Sequence, residues 1–532
     1  MAFFETLVAA LAAAILFLYG IEHLSVEIQR VAGERLRGLL AKVTANKWVG
    51  ALIGAATTAV IQSSTATTVI AVGLVNSSII TFSQSLGIIA GANVGTTLTA
   101  QLVAFNLMGM GPALLIIGFI LSVAGGKYKF LGKSIFYFGL VFFSLILISD
   151  ALAPLKQNEL LASYVTALDN PLVGLLFGIV ITLVFQSSSV TTGMVVLLGM
   201  QGFITLGQAI PVVFGANIGT TSTAIILAYR LDAFAKRTSY AHLIFNILGV
   251  VMFLPFLPQF QSLVLAIGGD TGNMIANAHL IFNLTTAVVF LLLSERIAAL
   301  LTNLIKTNRR ELVFKTRYLN GTMPERTWDA IGLVRKEMRH ELELVRELFS
   351  ESVTMLKKGS SEGLQLAIKL EGLSDFLDDK ISESLAHLSE RKLSEKEALA
   401  ISRLGRISNE IEQLADLGED VSRIGQRLEE KGMTLMPESL VELESIESLF
   451  FENLSLLEKG MEKFSSSDLK KMKANGKRIS VQIGRSYLAQ LKLLMQKQSS
   501  DFAGTNFTDT MAVFETANHK IVSAMKQIGA IS

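Results

Sequence analysis

Gln62-Ser63-Ser64-Thr65-Ala66-Thr67-Thr68 interrupts one apolar stretch, and Gln186-Ser187-Ser188-Ser189-Val190-Thr191-Thr192 interrupts another 124 residues later. A second pair keeps the same offset: Gly91-Ala92-Asn93-Val94-Gly95-Thr96-Thr97 and Gly215-Ala216-Asn217-Ile218-Gly219-Thr220-Thr221. Aligned without a gap, residues 50–100 and 174–224 share 23 identities in 51 positions. The chain is therefore internally duplicated. In hydrocarbon every polar group needs a partner. Duplicated polar breaks in two apolar halves point to a binding site shared between the halves.

Composition divides the chain. Of its 532 residues 51% are hydrophobic, and the mean hydropathy of +0.49 is too high for a soluble chain of this length. The apolar excess lies in residues 1–302 and the charge in 303–532, so a transmembrane domain and a soluble domain are expected. A net charge of +2 argues against a nucleic-acid partner. Cysteine is absent, which excludes disulfides and thiolate metal sites. Residues 3–21 lack the basic start and small-residue cleavage site of a signal peptide and read as a first span.

Full spans need about 20 apolar residues, and we place them near 3–24, 83–104, 109–125, 131–149, 207–228, 240–257 and 275–296. The stretches 48–76 and 172–200 each hold two short apolar pieces broken at Gln-Ser-Ser, and read as re-entrant helical hairpins. Basic residues cluster in alternate loops: Arg30, Arg35, Arg37, Lys42 and Lys47; Lys127, Lys129 and Lys133; Arg230, Lys236 and Arg237; and Arg296, Lys306, Arg309 and Arg310. The intervening loops carry only Lys156. The basic loops then face the cytoplasm, with the N-terminus outside and the C-terminal domain inside. Three crossings per repeat invert the second copy, so repeats at about 3–125 and 131–257, followed by an extra span at 275–296, would bring the two hairpin tips together near the midplane. The expected fold class is all-α: a polytopic membrane protein of two inverted repeats, each with a re-entrant hairpin, plus a soluble helical bundle.

From Trp48 to Gly126, and again from Pro171 to Tyr229, there is no Asp, Glu, Lys or Arg. That removes acid–base pairs, carboxylate cages and arginine clamps from both stretches, so an enzyme is not expected. What remains is hydroxyls, carboxamides, backbone groups and helix dipoles. A helix restarted at Gln-Ser-Ser has Ser or Thr as its cap and free N–H groups at a positive dipole end. Two such starts facing each other would cradle a tetrahedral oxyanion. Orphan carbonyls and threonine hydroxyls suit a hard monovalent cation such as sodium. Co-bound sodium would supply the positive charge that a dianion such as phosphate needs at low dielectric. A neutral or zwitterionic substrate also fits the bare composition, and an isolated residue such as Thr182 reads as a helix-packing hydroxyl.

Ala241-His242-Leu243-Ile244-Phe245-Asn246 returns as Ala278-His279-Leu280-Ile281-Phe282-Asn283 in the last two spans. Intramembrane histidines serve as proton relays or, as we favour here, hydrogen-bond an Asn of another span.

These motifs, with Phe-Asn-Ile-Leu-Gly at 245–249, resemble the type II sodium–phosphate cotransporter family over about residues 3–300. The resemblance implies sodium-coupled import of inorganic phosphate by alternating access, in the plasma (inner) membrane. It places phosphate on Gln62, Ser63, Ser64, Thr65, Gln186, Ser187, Ser188, Ser189, Asn93 and Asn217. It places the coupling sodium ions on Thr67, Thr68, Thr96, Thr97, Thr99, Thr191, Thr192, Thr220, Thr221 and Thr223, with no organic cofactor. Thr65 stands where the family has a third serine, and Leu107 to Met110 lack the carboxylate that some animal members carry. A proton-coupled or other-oxyanion transporter and a membrane-anchored phosphate sensor are the rival readings.

Residues 303–532 show helical periodicity near 326–357, 363–388, 395–430, 437–462, 466–497 and 508–529, with breaks at 358–362, 389–393, 431–437 and 499–505, as expected of two three-helix bundles. This region resembles a PhoU-like domain, for which regulation of transport or homo-oligomerisation is the expected role. Asp375 with Asp379, and Glu412 with Asp416, match that family's carboxylates four apart and could hold a metal ion; a solvated acidic face is the plainer reading. In the second bundle Glu515 and His519 alone keep the spacing.

Overall fold

A computed structural model describes residues 2–41, 46–105, 107–125, 128–154, 165–307, 311–361, 363–495 and 501–531. Lys42, Lys127, Lys156, Arg309 and Arg310, used above to orient the chain, lie outside them, as do parts of the 358–362 and 499–505 breaks. All secondary structure among the described residues is helical, and the chain divides into two units, Met1–Glu311 and Leu312–Ser532.

The first unit runs α1 (Ala2–Ala41), α2 (Lys47–Ile61), α3 (Ser64–Asn76), α4 (Phe82–Ala104), α5 (Gly111–Ala124), α6 (Tyr128–Leu152), α7 (Pro171–Phe185), α8 (Ser188–Met200), α9 (Leu206–Gly219), α10 (Thr221–Ala228), α11 (Ala233–Phe253), α12 (Leu257–Ile267), α13 (Thr271–Leu292) and α14 (Ser294–Leu304). The duplication extends to the N-caps of the paired helices in the two copies. Asn46 caps α2 by accepting from the Trp48 N–H, and Asn170 caps α7 by accepting from Leu172. Thr81 with Gln84, and Thr205 with Gln208, form the same reciprocal capping box at the starts of α4 and α9. Ser78 and Gly202 both take positive φ before those caps. Equal caps at equal offsets start the helices at equal places; the copies part only where α9 ends at Gly219 while α4 runs on to Ala104.

The 15 residues of α2 or α7 reach about 22 Å, short of the roughly 30 Å hydrocarbon layer. Each lies along the following long helix through glycine contacts. A Cβ on Gly91 of α4 would collide with the Ala51 carbonyl of α2, and one on Gly215 of α9 with the Leu175 carbonyl of α7. The repeated glycines thus let backbone approach backbone.

Among the described residues, six helical segments are long and apolar enough to cross a membrane: Val8–Arg30, Phe82–Ala104, Tyr128–Leu152, Leu206–Ala228, Ala233–Ile267 and Thr271–Leu292. The seventh expected span, 109–125, is the 14-residue helix α5 after a 3₁₀ turn at Leu107–Met110. Gly109, Gly111 and Pro112 delay its start, and α5 packs along α6.

The second unit contains α15 (Thr327–Lys358), α16 (Leu364–Ser389), α17 (Glu395–Glu430), α18 (Pro437–Glu462), α19 (Ser466–Met495) and α20 (Asp501–Ile531). Each trio packs among itself, but the two trios share one continuous core rather than forming separate bundles. The Phe349 ring of α15 lies tilted against Phe450 of α18 at 4.6 Å, and Phe450 meets Phe514 of α20 edge-on at 5.0 Å. The last helix begins earlier than the expected 508 because Phe502 and Phe507 pack into this core and carry the helix through Gly504. The boundary between units also falls later than the expected 302/303. Arg237 donates to the Ile305 carbonyl at 3.1 and 2.7 Å, and the Glu311 carboxylate accepts from the Phe82 N–H, which ties Ile305 and Glu311 to the first unit.

Candidate functional site

Each hairpin is broken by one residue forced into the left-handed region. Gln62 sits at φ 60° after α2 and Gln186 at φ 52° after α7. Among the described residues only Ser78 shares this conformation outside glycine, at a cost of about 1–2 kcal/mol each. The chain then extends through Ser63 or Ser187 and restarts as α3 or α8. Ser63 Oγ accepts from the Ala66 N–H at 3.1 Å, and Ser187 Oγ from the Val190 N–H at 3.4 Å. The remaining first-turn N–H groups have no partner within their helix. A hydroxyl relay fastens each break: Thr58 donates to Thr67 Oγ1 (2.8 Å), which donates to the Ser63 carbonyl (3.2 Å). Thr182 donates to Thr191 Oγ1 (2.9 Å), which donates to the Ser187 carbonyl (3.2 Å). Thr182 is therefore half of a duplicated clasp rather than an isolated packing hydroxyl. Its echo at Thr58, at the same offset, was the available signal.

The two breaks open onto one cavity of about 580 Å³, lined by Gln62, Ser63, Ser64 and Thr65 from one copy and by Gln186, Ser187, Ser188 and Ser189 from the other. Thr223 is also in its wall. So one wall group contains all eight residues of the two Gln-Ser-Ser-(Thr/Ser) motifs. Ser64 and Ser188 are buried at the starts of α3 and α8, where the helix dipoles are positive. Glu22, Ser25 and Gln29 of α1 complete the wall. All three lie on α1, outside the two charge-free stretches and outside both duplicated motifs, so neither pattern points to them. Their signal is spacing: positions three and four apart share one face of a helix, here in an otherwise apolar span.

The expected sodium residues divide into groups. Thr68 and Thr192 are buried, and their hydroxyls have no hydrogen-bond partner, nor has that of Thr96. A buried unpartnered hydroxyl is costly, and three hard oxygen donors of this kind suit sodium as cargo. Thr97, Thr220 and Thr221 bond back to their own helices, at Val94, Ala216 and Ile218. Thr67 and Thr191 serve the clasps described above. Thr99 donates to Gln62 Oε1 at 2.8 Å, whereas its counterpart Thr223 and Gln186 both line the cavity.

Asn93 and Asn217, expected as substrate ligands, hydrogen-bond the duplicated histidines. His242 Nε2 lies 3.2 Å from Asn93 Oδ1, and His279 Nε2 lies 3.3 Å from Asn217 Oδ1. Asn217 also donates to Asn283 Oδ1 at 3.3 Å. The two repeated motifs thus interlock, tying α4 to α11 and α9 to α13.

In the second unit, Glu371 and Asp375 of α16 and Asp416 of α17 bring carboxylate oxygens within 4.8 Å of one another. Asp379 and Glu412 stand outside that trio, and Glu371 joins it unanticipated. Burial, then the Asp375, Glu419 and Asp416 carboxylates, push Glu371 up to about 7. Burial and then neighbouring carboxylates also raise Asp375 and Asp416. An all-oxygen set of this kind fits a hard cation.

A duplicated membrane unit with one polar cavity between two helix breaks defines a class of polytopic membrane protein whose polar groups face each other across the copies. The model of the Na+/Pi-cotransporter family matches residues 16–150 and 146–268, and the chain belongs to that family. It is 34% identical over 274 residues to the uncharacterized protein YqeW of Bacillus subtilis (strain 168), covering 51% of this chain and 89% of YqeW. It is 25% identical over 469 residues to YjbB of Escherichia coli (strain K12), a protein provisionally named for inorganic phosphate export, covering 87% of this chain and 86% of YjbB. Over 139 residues, 24% of this chain and 20% of the relative, it is 34% identical to sodium-dependent phosphate transport protein 2B of Homo sapiens. Among solved structures, PhoU from Pseudomonas aeruginosa aligns with a TM-score of 0.36 and 14% identity, over 37% of this chain and 94% of PhoU. Phosphate transport in a membrane is the activity that this family membership supports.

Proposed function

We propose that this chain is a sodium-coupled phosphate symporter that works by alternating access, with phosphate held between the two Gln-Ser-Ser breaks. The observation that carries the reading is the single cavity lined by both motifs. The serine hydroxyls and first-turn N–H groups of α3 and α8 offer donors to phosphate oxygens from two sides. Neither motif contributes a cation, so sodium on the buried threonine hydroxyls would offset the anion's charge, and neither ion would bind well alone. We take the repeats as inverted, the N-terminus as external and the second unit as a cytoplasmic, PhoU-like regulator, from the basic-loop pattern and the resemblance. Import is the direction under an inward sodium gradient. A coupled symporter reverses when the outward phosphate gradient exceeds that drive, which accommodates a relative named for export.

Ser64→Ala and Ser188→Ala test the site. Each should reduce labelled-phosphate uptake at least tenfold while the protein still inserts and purifies. Normal uptake in both variants contradicts the proposal.

A further inference from the structure

The wall that α1 contributes to the cavity carries a carboxylate. Glu22, Ser25 and Gln29 face the two hairpin breaks, and among the lining residues Glu22 is the only ionisable one. Gln29 Nε2 donates to Ser25 Oγ at 3.0 Å, which leaves that oxygen's second lone pair for another partner. Five residues further on, Glu27 is paired with Arg30 at 2.9 Å and Lys133 at 3.4 Å. Glu22 has no such cation among the described residues.

An anion site built from helix N-termini gains nothing from a fixed negative charge at its edge. The charge repels phosphate unless a cation stands between them. We infer that Glu22 is the residue that couples the two ions: its carboxylate, with the Ser25 hydroxyl, holds a sodium ion on the α1 wall, and phosphate enters only once that cation is in place. The inference deepens the symport reading and rests on it. It adds a cation position outside the duplicated motifs.

The test uses the full chain, purified and reconstituted, in wild-type, E22Q and E22D forms. Labelled-phosphate uptake is titrated with sodium at fixed phosphate, and with phosphate at saturating sodium. Separately, the melting temperature is measured in sodium and in choline without phosphate. E22Q should raise the sodium half-saturation at least tenfold while the phosphate KM falls or stays level, because the same change removes a cation ligand and a source of repulsion. E22D should recover most of the sodium affinity. Sodium should stabilise the wild type in the melting assay and E22Q much less. An unchanged sodium half-saturation overturns the inference. So does parallel weakening of both ions, which is what a collapsed cavity gives, or loss of pH dependence with sodium affinity intact, which marks a proton carrier. If E22Q does not purify, E22A takes its place: its sodium half-saturation must rise while its phosphate KM does not. Wild-type uptake that ignores sodium, with sodium stabilisation still dependent on Glu22, sinks the symport reading but keeps the cation position. A wild type indifferent to sodium in both assays sinks both.

Discussion

Gln62 and Gln186 hold a backbone conformation that glycine adopts at no steric cost, yet both copies carry glutamine. The strain is tolerated at a place where the carboxamide faces the cavity, the usual location for stored backbone strain. Gln62→Gly and Gln186→Gly should therefore keep stability within about 1 kcal/mol, since relief of strain offsets the lost contacts. Phosphate uptake should nevertheless fall at least tenfold. Melting curves beside uptake assays check this; a large loss of stability with uptake intact would mean that the glutamines are structural. The clasp threonines should behave in the opposite way. Thr58→Val and Thr182→Val each remove one buried hydroxyl bond and should cost about 1 kcal/mol, with the two costs adding because the clasps are separate bonds in separate copies. Most of the cavity was legible at this scale, because polar residues in an apolar run have few explanations. Thr182 and Glu22 were not, the first because its partner lies across the break and the second because it belongs to neither duplicated motif.

At the scale of helices, the glycines that bring α2 onto α4 and α7 onto α9 set the hairpin position. Gly91→Ala or Gly215→Ala places a methyl group against a facing carbonyl and should cost about 1–3 kcal/mol. Size-exclusion profiles and melting temperatures would register it. The acidic trio of α16 and α17 makes a pH-dependent contribution. Glu371 is shifted from 4.5 to about 7, so the folded unit binds more protons than the unfolded chain between those values. Stability is thus full below the lower value and falls as pH rises through the window. At about pH 8 without divalent cations, Asp416→Asn should raise the melting temperature by roughly 2–4 °C, the equivalent of about 1 kcal/mol after solvent screening. If added divalent cations stabilise the wild type and not this variant, the trio holds a metal ion. The helices of the second unit were readable within a few residues, except at Asp501, because amphipathic periodicity persists through them and Ser394, Pro437 and Gly359 mark their ends. The short α5 was not, because hydropathy counts apolar residues and does not see where glycine and proline delay a helix.

For the whole molecule, the duplication does two jobs. It repeats the caps that fold each copy, and it presents two equivalent helix starts to one cavity. The copies differ where Thr99 bonds Gln62 and its counterpart Thr223 stands in the cavity wall. Two halves that exchange such a difference are a natural basis for alternating access. The boundary near residue 311 escaped a composition-based reading because the tether is made by charged and backbone groups, Arg237 with Ile305 and Glu311 with Phe82. Deleting the second unit beyond that boundary, at residue 312, should leave the first unit's caps and core intact, and should change the response of uptake to phosphate if the unit regulates transport.

The most direct measurement is labelled-phosphate uptake into proteoliposomes holding the purified chain, with inward sodium, potassium and proton gradients compared side by side. The account predicts uptake under the sodium gradient alone, abolished by Ser64→Ala and by Ser188→Ala. Equal uptake under the potassium gradient, uptake driven by protons without sodium, or full activity in both serine variants would contradict it.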